Sequence, residues 1–292
     1  RWVNQLWYAA ATWWATRRGF DLVHSHENTW HGQVQTIHVM PVKYNLLHGR
    51  SGWAWCQSWF KALTSPRLWV YLMFERARLS GRPGRNRVVV PSASLRRALA
   101  FAYPRAVQKP EVLTPGVQLV GYVSAEQRVA ARRELELPRG GTCLLFVGHD
   151  YGKKGLAALL KVLPVLPAEV FLIVVGNPTQ AAVFRGLAGN LGIASRVYFL
   201  GSLKDISSVY SAADILVHPT LEDTFGMVVL EAMAHGLPVI VSDEKYCGIS
   251  ALLVNRDNAL LLDDPEDVAE MGEVLNGLVR DEALQQRLGR AA

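Results

Sequence analysis

Cysteine is scarce in this 292-residue chain: Cys56, Cys143 and Cys247 lie far apart, with no CxxC pair among them. That spacing supplies neither a disulfide framework nor a zinc site, and it suits a reducing cytoplasm. Long apolar runs are missing too. None approaches the ~18–20 residues that a membrane-spanning helix needs, and no clean apolar segment with a small-residue cleavage site opens the chain. There is no initiator methionine, and the sequence stops abruptly at Arg290-Ala291-Ala292. The expectation is a piece that begins inside a domain and ends in the same way. Internal repeats and low-complexity tracts are absent, and so are the Walker loop and GxGxxG patterns for phosphate binding.

What is present is a globular composition. Half the residues are hydrophobic, 19% are charged and the net charge is +6, so a sizeable core and an anionic partner are both expected. From residue 142 onward, short apolar segments alternate with helical ones. Strands are expected at 143–148, 170–176, 196–201, 214–219 and 237–242, with helices at 155–163, 181–191, 206–213 and 226–235. Continuous apolar strands separated by helices predict a parallel sheet covered on both faces, in a Rossmann-like, doubly wound α/β domain. The front part is less regular. Short strands at 21–25, 34–40, 87–91 and 111–114, with helical stretches between, predict a second α/β domain that is incomplete. Pro115-Gly116 punctuates the chain, so residues 115–124 are the expected linker and the domains are 1–116 and 117–292.

The densest constellation runs from Ala213 to Pro238. A strand ends at Pro219, an acidic loop carries Glu222 and Asp223, and a helix begins near Gly226 and stops where Gly236 and Pro238 bar continuation. In a doubly wound sheet, ligands bind outside the carboxyl ends of the strands, where this loop must sit. Gly226 lets backbone amides approach closely, and the N–H groups of the first helical turn can hold a phosphate. Glu231 falls within the apolar run Val228-Val229-Leu230 and Ala232-Met233-Ala234, a costly place for a carboxylate without hydrogen bonds. Ribose hydroxyls are suitable donors. The plainer alternative is an acid complementing the helix dipole, with Glu231 simply reaching water.

The string resembles the E-x7-E signature of family 4 glycosyltransferases, an acid followed by Phe-Gly and then Leu-Glu-Ala-Met-Ala-x-Gly-x-Pro-Val. Asp223 and Glu231 have that separation, and Phe225-Gly226, Leu230-Glu231-Ala232-Met233-Ala234, Gly236 and Pro238-Val239 match. The resemblance implies a GT-B fold, two Rossmann-like domains facing a cleft. It also implies that Asp223 contacts the donor sugar, the amides of Gly226, Met227 and Val228 its phosphates, and Glu231 the ribose, with Phe225 in the same donor-binding set. The first acid here is Asp where the family carries Glu. Glu222 lies one position earlier, so either carboxylate can be the one that reaches the sugar.

Gly148-His149-Asp150-Tyr151-Gly152-Lys153-Lys154-Gly155 joins the first strand of this half to its helix. Two cations just before a helix N-terminus oppose the macrodipole unless an anion sits between them; otherwise they are solvated surface lysines. The family carries a basic pair here that holds the nucleotide diphosphate and ends in Lys-Gly, as Lys154-Gly155 does. His149 replaces the usual Arg, which leaves Lys153 to supply the other charge, with Gly148 at the head of the loop. This version is similar to that of the lipopolysaccharide-core glucosyltransferases. No metal or other cofactor is implied, because lysines and helix amides neutralise the leaving diphosphate. By fold geometry and resemblance, Asn177 and Gly201 are expected to border the base and ribose.

In the front half, Asp21-Leu22-Val23-His24-Ser25-His26-Glu27 and Gln35-Thr36-Ile37-His38 are strand ends rich in histidine. A His-x-His beside Glu can bind a metal, but no partner spacing supports one here. Hydrogen-bonded histidines at strand ends are the plainer alternative. By resemblance they line the cleft opposite the donor, and His38 matches the histidine beside the transferred sugar. Such enzymes retain anomeric configuration without an obvious protein nucleophile, so His38 would position or polarise, with Asp223 and Lys154 completing the implied catalytic set. Between Gly49 and Arg87 eight basic residues face one acid, Glu75, interleaved with Trp53, Trp55, Trp59, Phe60, Trp69, Tyr71 and Phe74. That mixture suits an anionic membrane surface. Solvated arginines over a core at 68–74 are the plainer alternative, and no nucleic-acid motif accompanies the stretch.

The resemblance therefore implies a retaining, metal-independent hexosyltransferase. It would take a UDP- or GDP-sugar on residues 117–292 and a glycan or lipid-linked acceptor on residues 1–116, as in lipopolysaccharide or polysaccharide synthesis. The cytoplasm, with peripheral attachment at the inner face of the membrane, is the expected place. A nucleotide-sugar 2-epimerase on the same fold and a non-catalytic nucleotide-sugar-binding protein are the alternatives.

Overall fold

The structure is a computed structural model that describes residues 2–26, 29–80, 86–106 and 109–292. The chain divides into two compact units, Arg1–Pro115 and Gly116–Ala292. In the first, α1 (Trp2–Thr16), β1 (His24–Ser25), β2 (Val34–Thr36), α2 (Val42–Leu47), α3 (Gly52–Thr64), α4 (Pro66–Leu79), β3 (Arg87–Val90), α5 (Ala93–Ala102) and β4 (Glu111–Val112) follow in order. The four strands are parallel and lie side by side in chain order. Ile37, Leu79, Val88, Val90, Leu95 and Leu99 form the core beneath them.

The first two strands are shorter than their apolar pattern suggests. The Val23 carbonyl takes the N–H groups of both Gln33 and Val34, and Val39 is exposed, so the ladder stops at both ends. Segment 68–74 is also not a uniform core. It lies on α4, whose 3.6-residue period buries Phe74 and leaves Trp69 and Met73 in solvent. Glu75, the lone acid of the basic stretch, is a cap: its carboxylate accepts from Val42 N at 2.6 Å, Lys43 N at 3.4 Å and Tyr103 Oη at 2.7 Å. It thereby fastens the start of α2 to α4 and to the end of α5. No helix among the described residues is long and apolar enough to cross a membrane.

The second unit comprises α6 (Ala125–Glu134), β5 (Cys143–Gly148), α7 (Leu156–Val162), β6 (Phe171–Gly176), α8 (Ala181–Asn190), β7 (Val197–Gly201), α9 (Ser207–Ala212), β8 (Ile215–His218), α10 (Met227–Ala234), β9 (Val239–Ser242), β10 (Leu260–Leu262), α11 (Val268–Arg280) and α12 (Glu282–Ala291). Its parallel sheet has the order β10-β9-β8-β5-β6-β7. The strand period of two divides the apolar residues between two cores. Leu144, Phe146, Leu172, Val174, Ile215 and Val217 face α7, α8 and α11. Cys143, Leu145, Phe171, Ile173, Val175 and Leu216 face α6, α9 and α10. Every one of these strands is buried on both sides, which explains the unbroken apolar runs. Beyond residue 242 the structure adds β10, α11 and α12.

Two fastenings complete the unit. Asp214, just before β8, accepts from Arg132 Nη2 at 2.6 Å and from the Cys143 amide at 2.7 Å, while Arg132 also donates to the Ala212 carbonyl. At the other end of α10, the Ala234 carbonyl takes the N–H groups of Val120 and Gly121. Tyr122 then lies against Gly236, and the last helix docks there through Gly289, with Tyr122 Oη donating to the Gln286 carbonyl at 3.4 Å.

Candidate functional site

Strand order reverses between β5 and β8: the chain leaves one toward β6 and the other toward β9. That reversal opens a crevice at the carboxyl ends of the strands. The lysine loop follows β5 and the acidic loop follows β8, and the two are stitched together. Lys153 O accepts from Leu221 N at 2.8 Å and from Thr220 Oγ1 at 3.3 Å. Gly148 matters here for space. A side chain on it would strike the Lys154 side chain, with Cγ only 2.8 Å from the position of a Cβ.

Across that gap Lys154 Nζ reaches Asp223 Oδ2 at 2.6 Å and the Glu222 carbonyl at 3.0 Å. His218 Nε2 lies 3.1 Å from the same Asp223 oxygen, and the Phe225 amide donates to the other at 3.2 Å. Burial by itself would push the Asp223 carboxyl up, but the His218 hydrogen bond and the Lys154 charge outweigh it and hold the group well below the usual carboxylate range. Burial depresses His218, which keeps the ring neutral and its Nε2–H a donor. Asp223's main chain is pinned as well, to Tyr246 O and Gly248 N.

A second ion pair sits outside the first. Lys153 Nζ and Glu222 Oε2 are 3.4 Å apart, with side chains 59% and 42% exposed, against 20% and 18% for Lys154 and Asp223. Exposed pairs are worth ~0–1 kcal/mol, whereas removing one partner of a buried pair costs ~3–5 kcal/mol. The inner pair is therefore a fixture and the outer one yields readily.

Helix α10 starts at Gly226, whose φ of 100° puts it in the left-handed region. The N–H groups of Met227 and Val228 have no hydrogen-bond partner among the described residues, and they stand where the helix dipole favours an anion. Phe225 is buried in the core, so its ring packs inward. Glu231 is half-buried and already has a donor: Tyr210 Oη lies 2.7 Å from Oε2. The Tyr210 ring stacks on His235, which in turn hydrogen-bonds the Glu231 carbonyl at 2.8 Å. The cost foreseen for this carboxylate is thus met partly from within the chain, and Oε1 remains for a ligand.

The remaining candidates are more peripheral. Asn177 follows β6 and spends its side-chain oxygen on Thr179 N and Oγ1. Gly201 ends β7 with φ of 72°. His38 belongs to the first unit, where its Nε2 lies 2.9 Å from His26 Nδ1 with the rings stacked, and His24 bonds Thr36. Glu27 lies outside the described residues. Among those residues, His218, Asp223 and Cys247 bring metal-type donor atoms within 4.8 Å of one another. The Lys154 ammonium already occupies Asp223, and burial pushes the Cys247 thiol up to about 12, so that trio is poorly suited to a cation. Tyr210 and His218 are not among the site residues expected from the sequence, because neither falls in the acidic signature; the fold brings Tyr210 to Glu231, and the loop after β8 turns Asp223 back onto His218.

The sequence profile of the family described as Glycosyl transferases group 1 matches residues 127–292. The chain belongs to this family. It is 30% identical over 182 residues to the lipopolysaccharide glucosyltransferase WaaG of Escherichia coli K12, an alignment covering 59% of this chain and 47% of that protein. It is 30% identical over 221 residues to the D-inositol 3-phosphate glycosyltransferase of Streptomyces avermitilis, covering 71% and 47%. The chain thus spans about half the length of the curated relatives it matches. The crystal structure of WaaG, a glycosyltransferase involved in lipopolysaccharide biosynthesis, superposes with a TM-score of 0.83 at 22% identity, over 99% of this chain and 76% of that one. Anabaena HepE in complex with UDP-glucose gives 0.68 at 20% identity, over 88% and 65%. The two parallel-sheet units are those of a GT-B glycosyltransferase, as the E-x7-E resemblance implied.

Proposed function

We propose that the second unit holds a nucleotide-diphospho-sugar and that the protein transfers its hexose, with retention and without a metal, to a glycan or lipid-linked acceptor. The observation that carries this reading is the stitched pair of loops at the strand-order reversal. There two lysines and the unpartnered amides of Met227 and Val228 supply positive charge for a diphosphate. Glu231 Oε1 accepts from ribose, and Asn177 and Gly201 border the nucleoside at the ends of β6 and β7. His38, in the first unit, positions or polarises the transferring sugar. The complex of HepE with UDP-glucose supports a UDP-sugar donor, and the part WaaG plays in lipopolysaccharide biosynthesis supports an acceptor of that kind.

The first unit is proposed to rest on an anionic membrane from the cytoplasmic side. Helices α3 and α4 leave Trp53, Trp55, Trp59, Phe60 and Trp69 exposed beside Arg67 and Arg76, a mixture of rings and cations that suits the headgroup level.

A thermal-shift panel of UDP- and GDP-sugars on the intact protein tests the donor site. One donor should stabilise the wild type, and Glu231→Ala or Lys154→Ala should abolish its binding. Unchanged affinity in both variants would overturn the assignment. Mass balance with labelled donor then separates transfer to an acceptor from 2-epimerisation, which releases a free product.

A further inference from the structure

We propose that Glu222, rather than Asp223, is the carboxylate that hydrogen-bonds the hexose of the donor, and that Asp223 is the fixed counter-ion of Lys154. The proposal rests on the donor-site reading above and decides between two neighbouring acids that the sequence leaves equal.

Most of the Asp223 carboxylate is already engaged. A carboxylate offers about four acceptor positions; two on Oδ2 go to Lys154 and His218, and one on Oδ1 goes to the Phe225 amide. Its main chain is held on both sides by Tyr246 and Gly248, so the residue cannot swing outward as a unit. It is also one methylene shorter than a glutamate at the same place. Turning Oδ2 toward a sugar would release a part-buried ammonium whose one ion-pair partner among the described residues is Asp223, and the open position on Oδ1 lies on the oxygen held by the Phe225 amide.

Glu222 has the opposite arrangement. Its backbone is fixed, with the amide donating to Thr220 Oγ1 at 3.3 Å and the carbonyl accepting from Lys154 at 3.0 Å. Its side chain is 42% exposed, and the loose pair with Lys153 is its one ion pair among the described residues. A nucleotide-diphospho-hexose carries the complement of both members of that pair: a diphosphate for the lysine and hydroxyl donors for the carboxylate. Binding would exchange one weak ion pair for two charge-assisted contacts. Glu222 is thus the residue that senses the sugar, while Asp223 sets the position of Lys154 whatever sugar is attached.

Calorimetric titration of the intact protein with the best-binding nucleotide sugar, and with its matching nucleoside diphosphate, tests this. The ratio of the two affinities is the gain due to the hexose. Glu222→Gln should change diphosphate affinity by less than about threefold and cut the hexose gain by about tenfold or more. Asp223→Asn should weaken both ligands in parallel. An unchanged hexose gain in Glu222→Gln overturns the proposal, and since that side chain is exposed the result does not hinge on whether Asp223→Asn folds. If the wild type binds neither ligand, the donor-site reading fails first and the Glu222 assignment falls with it.

Discussion

The hydroxyl of Tyr210 donates to Glu231 across 2.7 Å, from a helix twenty-one positions earlier in the chain. Burial, with Glu231 beside it, pushes this phenol far above its ordinary range, so it stays a donor at every pH the fold survives. Tyr210→Phe keeps the ring and its stack on His235 but strips Glu231 of that bond. The expected loss is ~1–3 kcal/mol of stability by urea denaturation, together with weaker nucleotide-sugar binding. Full affinity at full stability would show that Glu231 does not depend on Tyr210.

The two lysines should behave very differently. Lys153→Ala removes half of an exposed pair and should change stability by no more than ~1 kcal/mol. Lys154→Ala strands a buried carboxylate and should cost ~3–5 kcal/mol. Replacing Lys154 and Asp223 together by Met and Leu should recover much of that loss while abolishing donor binding. Equal stability of the two single variants would contradict the burial difference.

Acid should unfold the second unit in two stages. His218 is held neutral when folded, so the unfolded chain gains a proton as pH falls below the ordinary histidine value of 6.5 while the folded one does not, and stability drops. Asp223 is depressed, so its contribution is complete above the ordinary 3.8 and is lost only as pH falls through the strongly acid range. Denaturation curves collected downward from neutral pH should show His218→Asn flattening the first stage and Asp223→Asn the second. A wild-type curve with no slope just below 6.5 would refute the first.

Away from the ligand edge, Arg132 and Asp214 form a buried pair, with side chains 5% and 15% exposed. Arg132→Met should cost ~3–5 kcal/mol by urea denaturation yet leave nucleotide-sugar affinity unchanged in the folded fraction. A fall in affinity without a fall in stability would assign this pair a different role.

For the membrane-facing reading, the intact protein should co-sediment with vesicles containing anionic phosphatidylglycerol, and do so less as salt rises. Arg67→Glu with Trp69→Ala should reduce the effect. Equal binding to neutral phosphatidylcholine vesicles would exclude it.

How much of this was legible beforehand differs by element. The strands from Cys143 to Ser242 were readable because β5, β6, β8 and β9 are buried on both faces and the edge strand β7 is half-buried, so each apolar run is unbroken and bounded by glycine or proline. The front strands were overextended because residues such as Val39 are apolar yet exposed, and periodicity alone does not reveal which apolar residues find a partner. The acidic loop and the lysine loop stand out as local strings. Tyr210 and Asp214 do not, since each acquires its role from a residue far along the chain, Glu231 and Arg132, and His218 does not because its bond to Asp223, five positions on, depends on how the loop after β8 folds back. The ambiguity between Glu222 and Asp223 was likewise out of reach, because adjacent positions differ only in which way the folded loop points them.

The joint at Tyr122, Gly236 and Gly289 gives α12 a mechanical part to play. Gly236, with φ of 70°, follows the C-cap of α10, and α10 carries Glu231; α12 packs against that end through Gly289. Helix α12 is in this sense a buttress. Removing it would take away none of the candidate donor-site residues, yet it would free the far end of the helix whose near end faces the proposed diphosphate site.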